Sequence, residues 1–127
     1  METRYLFRGK TICGDWVRGL LANNGDKWYI SNNAGRPFAF KIRPDTICQC
    51  TGLKDKNGKL IWENDIIKAW SQGTCAKGKI KQRIDGTWIM YPAWQKGEMW
   101  YLCPDNNGET TVEVVGNVFD NPELLEV

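Results

Sequence analysis

The chain of 127 residues contains no histidine. This absence excludes Ser-His-Asp and Cys-His catalysis, and it removes every metal site that depends on an imidazole ligand. The sequence also has no glycine-rich loop of the P-loop or dinucleotide type that would cradle a phosphate. We therefore expect a protein that is not an enzyme, that uses no cofactor and that has no evident small-molecule substrate.

Long apolar runs are also missing, since none approaches the ~20 residues needed to cross a bilayer. Residues 1–6 lack the apolar segment of a secretory signal, so we expect a cytoplasmic protein with no membrane partner. Cys48 and Cys50 form a CxC and not a CxxC. Reduced thiols acting as small apolar side chains are the expectation, with a zinc site from three or four of the five cysteines as the alternative.

Charge is unevenly distributed along the chain, although the net charge is only +2. Residues 1–83 carry sixteen Lys/Arg and seven Asp/Glu, whereas residues 84–127 carry one Lys and eight Asp/Glu. Such asymmetry is typical of a basic binding surface or of two parts that attract each other, within one chain or between copies. We favour mutual attraction, because acidic residues near the basic strands would weaken a field that attracts nucleic acid.

Residues 51–67 combine two turn signals with short apolar runs. Asn57-Gly58 predicts a two-residue type I′ hairpin turn, because both residues tolerate a positive φ. Asn64 is expected to take the left-handed position of a second turn, and the Asp65 carboxylate to close that turn on a backbone N–H. Asp85-Gly86 predicts another two-residue hairpin turn.

Short strands separated by such turns run through the whole chain, and no segment keeps a helical period. The pattern predicts a mainly β protein in which residues 1–50 form an N-terminal β-meander subdomain and residues 51–127 a small barrel or sandwich. Residues 71–78 are expected to form a loop, and Gly116 to mark a β-bulge. Asn121 and Pro122 predict a short C-terminal helical turn.

The stretch from Thr51 to Lys59, followed by Ile61 to Ile67, resembles the core motif of the YopX-like family. In that family the second half commonly has Gly where this chain has Asn64. Residues 115–125 resemble the family's ending, and residues 7–10 and 16–19 its opening. The resemblance implies an SH3-like barrel in residues 51–127 and an origin in phages or prophages of bacteria. It implies no known activity, so no catalytic residue carries over.

A row of cations is the first candidate site: Lys77, Lys79, Lys81 and Arg83. At period two they would share one strand face and could contact nucleic acid or an acidic partner. The plainer interpretation is a solvated face with Ile80 and Ile84 in the core.

Seven tryptophans are many for this length, and they fill a core or form an exposed contact surface. Trp94 is the first candidate for exposure because it lies in a predicted loop. Glu63 and Asp65 could act as an acid–base pair or hold a metal, although turn closure explains Asp65 more simply.

Taken together, these patterns predict a non-enzymatic module that binds a protein partner or itself as a homo-oligomer. The alternative is a nucleic-acid-binding module that uses the basic strand face with aromatic support.

Overall fold

The computed structural model of the chain describes residues 5–31, 39–71, 73–91 and 99–125. The described residues are mainly β, which confirms the predicted fold class. They divide between two compact units, Met1–Cys50 and Thr51–Val127. Whether these units are separate folding domains, as the sequence pattern suggests, stays a prediction.

The Met1–Cys50 unit is an antiparallel sheet with strand order β4-β3-β2-β1-β5. Its strands are β1 (Phe7–Lys10), β2 (Trp16–Asn24), β3 (Lys27–Ser31), β4 (Phe40–Ile42) and the beginning of β5 (Cys48–Lys54). Ile30 and Ile42 are buried in its core. Gly9 lies against them because it has no side chain: a Cβ at this position would stand 2.9 Å from Cδ1 of Ile42.

In the Thr51–Val127 unit, the end of β5 pairs with β6, and five further strands form an antiparallel sheet of order β10-β9-β8-β7-β11. The strands of this unit are β6 (Leu60–Trp62), β7 (Asp65–Ser71), β8 (Thr74–Gln82), β9 (Trp88–Tyr91), β10 (Trp100–Tyr101) and β11 (Glu113–Asn117). Because β8 begins at Thr74, the loop expected over residues 71–78 is wrong for most of its length. Among the described residues each sheet is open, so the SH3-like barrel stays a prediction.

A buried cluster forms the core of this second unit, and its side chains come from four strands and two connections: Ile61, Ile67, Ala69, Ala76, Ile80, Met90, Leu102 and Val112. Trp88 and Trp100 pack against the cluster. The register of β11 shifts between Val114 and Gly116, which confirms the predicted bulge. The predicted C-terminal helical turn is a 3₁₀ helix at Pro122–Leu125.

Four hairpin turns share one backbone pattern, at residues 11–15, 55–59, 83–87 and 105–109. In each, the carbonyl of the first residue accepts the N–H of the fourth, and the N–H of the first residue donates to the carbonyl of the fifth. The fourth residue is a glycine with positive φ. This is a type I turn followed by a left-handed glycine. The two-residue turns expected at Asn57-Gly58 and Asp85-Gly86 are therefore wrong, because only Gly58 and Gly86 of these residues adopt a positive φ.

Asp55 opens the second of these turns and is buried. Its Oδ1 accepts the backbone N–H of Asn57 and of Lys59, both at 2.9 Å, and its Oδ2 accepts the N–H of Val114 at 3.1 Å. The neighbouring Lys56 N–H donates to the carbonyl of Val112 at 2.8 Å. One carboxylate thus closes the hairpin and attaches it to β11.

The turn between β6 and β7 is built as the sequence suggests. Asn64 has a φ of 68°, and the Asp65 carboxylate accepts the N–H of Trp62 at 2.8 Å. The Asn64 backbone also donates to the Ile80 carbonyl and accepts from the Val118 N–H. This turn therefore connects β8 with the segment that follows β11.

Replacing Asp55 with alanine should destabilise the protein by about 3 kcal/mol, because three backbone N–H groups lose a largely buried acceptor. Asp105 is the matched control: it accepts the N–H of Asn107 and Glu109 in an equivalent turn, but it is exposed. Asp105→Ala should cost only about 1 kcal/mol, since water replaces its carboxylate. Urea unfolding of both variants measures the difference, and equal losses would contradict the anchoring role of Asp55.

Candidate functional site

Strand β8 places three of the predicted cations on the outer face of its sheet. Ala76 and Ile80 are buried in the core, with Gly78 between them, so the alternating positions point away from it. Those positions hold Lys77 and Lys81, which are exposed, and Lys79, which is half-buried. Side chains two residues apart on a strand stand roughly 7 Å apart. Three ammonium-bearing side chains are therefore in line.

Arg83 joins this row from outside the strand, because β8 ends at Gln82 and Arg83 opens the turn. Its guanidinium carbon lies 5.5 Å from the ring centroid of Tyr101, and its Nη1 donates to the Tyr101 hydroxyl. Ile84 follows within the turn and is 105% exposed. The interpretation that places Ile84 in the core is wrong, because a turn residue cannot continue the inward alternation of the strand.

Two tyrosines complete the surface. Tyr91 lies directly opposite Lys79, and its ring centroid is 5.3 Å from the Lys81 Nζ. Tyr91 and Tyr101 are 36% and 41% exposed. We call the set formed by Lys77, Lys79, Lys81, Arg83, Tyr91 and Tyr101 the basic–aromatic face. Trp94, the first candidate for an exposed aromatic contact, lies outside the described residues.

The pairing of Lys79 with Tyr91 follows from the turn type. A two-residue turn at Asp85-Gly86 would instead pair Ile80 with Tyr91. The observed turn shifts this register by one residue, which places Tyr91 beside the lysines. Because Asp-Gly suits both turn types, no signal in the sequence identifies Tyr91 as part of this surface.

The outer face continues across β7, where sequence patterns indicated no site. Trp70 is 42% exposed, and the Lys56 Nζ lies 4.3 Å from its ring centroid. Lys56 also pairs with Glu113 at 3.2 Å. Lys68 lies between Lys77 of β8 and Glu113 of β11 in the strand register. The acidic Glu113 therefore limits the basic surface on this side.

An open groove of about 550 Å³ lies elsewhere in the same unit, and both acidic and basic groups line it: Lys56, Cys103, Pro104, Asp105, Glu109, Thr110 and Thr111. Asp105 uses its Oδ1 to close its own hairpin.

All five cysteines are free thiols, and Cys48 and Cys50 are buried. In the described ranges no three or more His, Cys, Asp or Glu side chains are grouped as a metal site would require.

A protein-family model described as YopX protein matches residues 10–126. The chain belongs to the YopX family. The YopX-family chain is also 33% identical over 63 residues to Drainin from Dictyostelium discoideum. That similarity covers 50% of this chain but only 14% of Drainin. Among the residues that the structure describes, no helix is long and apolar enough to cross a membrane.

The turn at the end of the basic–aromatic face contains a carboxyl group with a perturbed pKa. Hydrogen bonds from the backbone and side chain of Thr87 hold the pKa of Asp85 below its ordinary value, and the charge of Arg83 lowers it further. The ionised form of Asp85 therefore stabilises the turn. That contribution is present at neutral pH and is lost as the pH falls through the lowered pKa of the folded state.

An NMR titration of the side-chain carboxyl carbons should give Asp85 a lower midpoint than aspartate in an unstructured peptide. Thr87→Val removes the hydroxyl but keeps the backbone N–H, so it should move the midpoint part of the way back. A midpoint that is unchanged in Thr87→Val would mean that the hydroxyl does not contact the carboxylate.

Proposed function

We propose that this YopX-family chain is a non-enzymatic binding module that acts through protein contacts, and that its first partner is a second copy of itself. The observation that carries the proposal is the basic–aromatic face, where Lys81 and Arg83 rest on exposed tyrosine rings. Rings that support a cation keep its charge near the surface and add apolar area to the contact. Tyrosine and arginine are also enriched at protein interfaces.

The complementary surface is expected in the acidic part of the same sequence. Residues 84–127 carry eight Asp/Glu and one Lys. Asp105, Glu109, Asp120 and Glu123 are exposed in the described part of this segment. A basic face on one copy and acidic groups on another give a head-to-tail contact, in which two different surfaces meet. Such a contact is weakened by salt, because exposed charges are screened.

Sedimentation velocity tests self-association at about 50 mM and about 500 mM salt, where the screening length differs roughly threefold. The wild-type protein should associate at low salt and dissociate at high salt. Lys77→Glu/Lys81→Glu should remain monomeric at both concentrations. Lys27→Glu/Lys41→Glu is the control, because both of its lysines are exposed in the Met1–Cys50 unit. A wild-type protein that is monomeric at both salt concentrations would exclude the proposed electrostatic self-association.

Nucleic acid is the second candidate partner, and the placement of the tyrosines favours it. Tyr91 and Tyr101 stand beside a row of cations, as aromatic side chains do where bases stack next to a bound backbone. The same lysines that would meet an acidic protein could follow phosphates along a strand. The two candidates differ in what the tyrosines contribute, since stacking on a base requires the ring.

Fluorescence anisotropy with labelled single-stranded and double-stranded DNA and RNA tests this second candidate. Binding should fall steeply with salt, and Tyr91→Leu should weaken it by roughly 1–3 kcal/mol for each lost base stack. Tyr91→Phe keeps the ring and is the matched control, so its affinity should stay near that of the wild type. No binding at low salt would dispose of nucleic acid as a partner of this face.

The proposal includes the setting of the protein. We place it in the cytoplasm of a bacterial host, as a product of a phage or prophage, on the strength of the family resemblance. We also propose that the Thr51–Val127 unit is an SH3-like barrel. The β5–β6 hairpin and the five-stranded sheet support this assignment, because both contribute side chains to one buried cluster.

A further inference from the structure

The tip of the β8–β9 hairpin exposes an apolar side chain beside the basic–aromatic face. Ile84 is the second residue of the turn at residues 83–87 and is 105% exposed, so its own copy leaves it uncovered. A β-branched side chain is better suited to a strand than to such a turn. Ile84 directly follows Arg83, whose guanidinium rests on the Tyr101 ring. The exposed isoleucine therefore extends a surface that already holds a cation and an aromatic ring.

The open groove in the same unit has a wall that is fixed by hydrogen bonds. The Lys54 N–H donates to the Gly108 carbonyl at 2.8 Å. The Lys54 carbonyl accepts the N–H of Thr110 at 2.8 Å and its hydroxyl at 2.9 Å. The groove volume of about 550 Å³ is within the range of roughly 300–1,000 Å³ found for ligand sites. A wall that is formed before a partner arrives lowers the entropic cost of binding.

The groove matches the hairpin tip in polarity and in charge. Cys103 and Pro104 offer it sulfur and carbon atoms, which suit the side chain of Ile84. Glu109 also lines the groove, is exposed and forms no ion pair with any residue that the structure describes. Arg83 donates to a neutral hydroxyl in its own copy, which leaves other N–H groups of the guanidinium for a carboxylate.

The charges that would oppose this contact are offset or screened. Lys56 at the groove pairs with Glu113 at 3.2 Å, which reduces its repulsion of an incoming cation. Asp85 in the tip accepts the Thr87 N–H at 3.1 Å and interacts with the charge of Arg83. Asp85 is exposed, so water and salt screen its charge. The carboxylates of the groove therefore determine its sign.

We propose that the groove of one copy receives the Ile84 tip of a second copy, with Arg83 of the tip paired to Glu109 of the groove. This inference rests on the proposed self-association and names the surfaces that meet in it. The second copy is the occupant because the chain carries both halves of the contact on different surfaces, as a head-to-tail contact requires. Ile84 is the apolar anchor, and the charge pair sets the orientation.

Sedimentation velocity of the full-length protein at about 50 mM salt tests the anchor. Ile84→Ser should weaken self-association by about tenfold or more, because the contact loses a buried isoleucine side chain. Ile12→Ser is the matched control, since Ile12 holds the same position in the equivalent turn at residues 11–15 and is 91% exposed. It should leave self-association within about twofold. Equal losses in the two variants overturn the groove contact.

A charge exchange tests the pairing of Arg83 with Glu109. Arg83→Glu and Glu109→Arg should each prevent association alone, because each variant places like charges at both halves of the contact. An equimolar mixture of the two variants should associate, since the reversed tip of one variant fits the reversed groove of the other. A mixture that stays monomeric overturns the pairing.

The results also separate this contact from the proposed function. A wild-type protein that is monomeric at low salt overturns both. Self-association that is unchanged in Ile84→Ser but lost in Lys77→Glu/Lys81→Glu overturns the groove contact alone, and association through the basic–aromatic face then stands.

Discussion

A buried carboxylate links two segments of the second unit that are far apart in the chain. Asp55 accepts hydrogen bonds from two N–H groups of its own hairpin and from one N–H group of β11. Leaving buried donors without an acceptor is far more unfavourable than losing an ordinary surface hydrogen bond. The hairpin and β11 are about sixty residues apart in the chain, yet the same side chain satisfies both. The carboxylate therefore adds to the backbone ladder that holds β11 beside β7 at the edge of the outer face.

Hairpin geometry then determines what the outer face presents. Each of the four equivalent turns adds one residue relative to a two-residue loop, and an added residue moves every following side chain to the opposite face. At residues 83–87 this change brings Tyr91 to the side of the lysines and leaves Met90 in the core. Glycine at the fourth position is required, because its positive φ is unfavourable for other residues. A local backbone preference thus determines which aromatic ring meets which cation.

Local backbone geometry also explains which features of the structure are predictable from the sequence. Period-two alternation correctly placed Lys77, Lys79 and Lys81 on one face of a strand, because strand geometry leaves little freedom over five residues. The left-handed conformation of Asn64 was also readable, since few other residues tolerate it. The turn types were not readable, because Asn-Gly and Asp-Gly suit both a two-residue turn and the observed five-residue one. Cross-strand neighbours depend on the register that the turn sets, so pairs such as Arg8 with Arg18 could not be predicted from the sequence.

Both units use the same construction, in which a cation on a strand rests on an aromatic ring of the neighbouring strand or loop. The ring of Trp16 contacts the cations of Arg8 and Lys10 in the first unit, and the ring of Tyr91 contacts the Lys81 ammonium in the second. Each unit also places like charges directly opposite each other, at Arg8 with Arg18 and at Lys68 with Lys77. A fold selected for stability alone would gain from opposite charges at these positions. At Lys68 the directly opposite Glu113 of β11 supplies such a charge, so the repulsion from Lys77 is offset within the sheet itself.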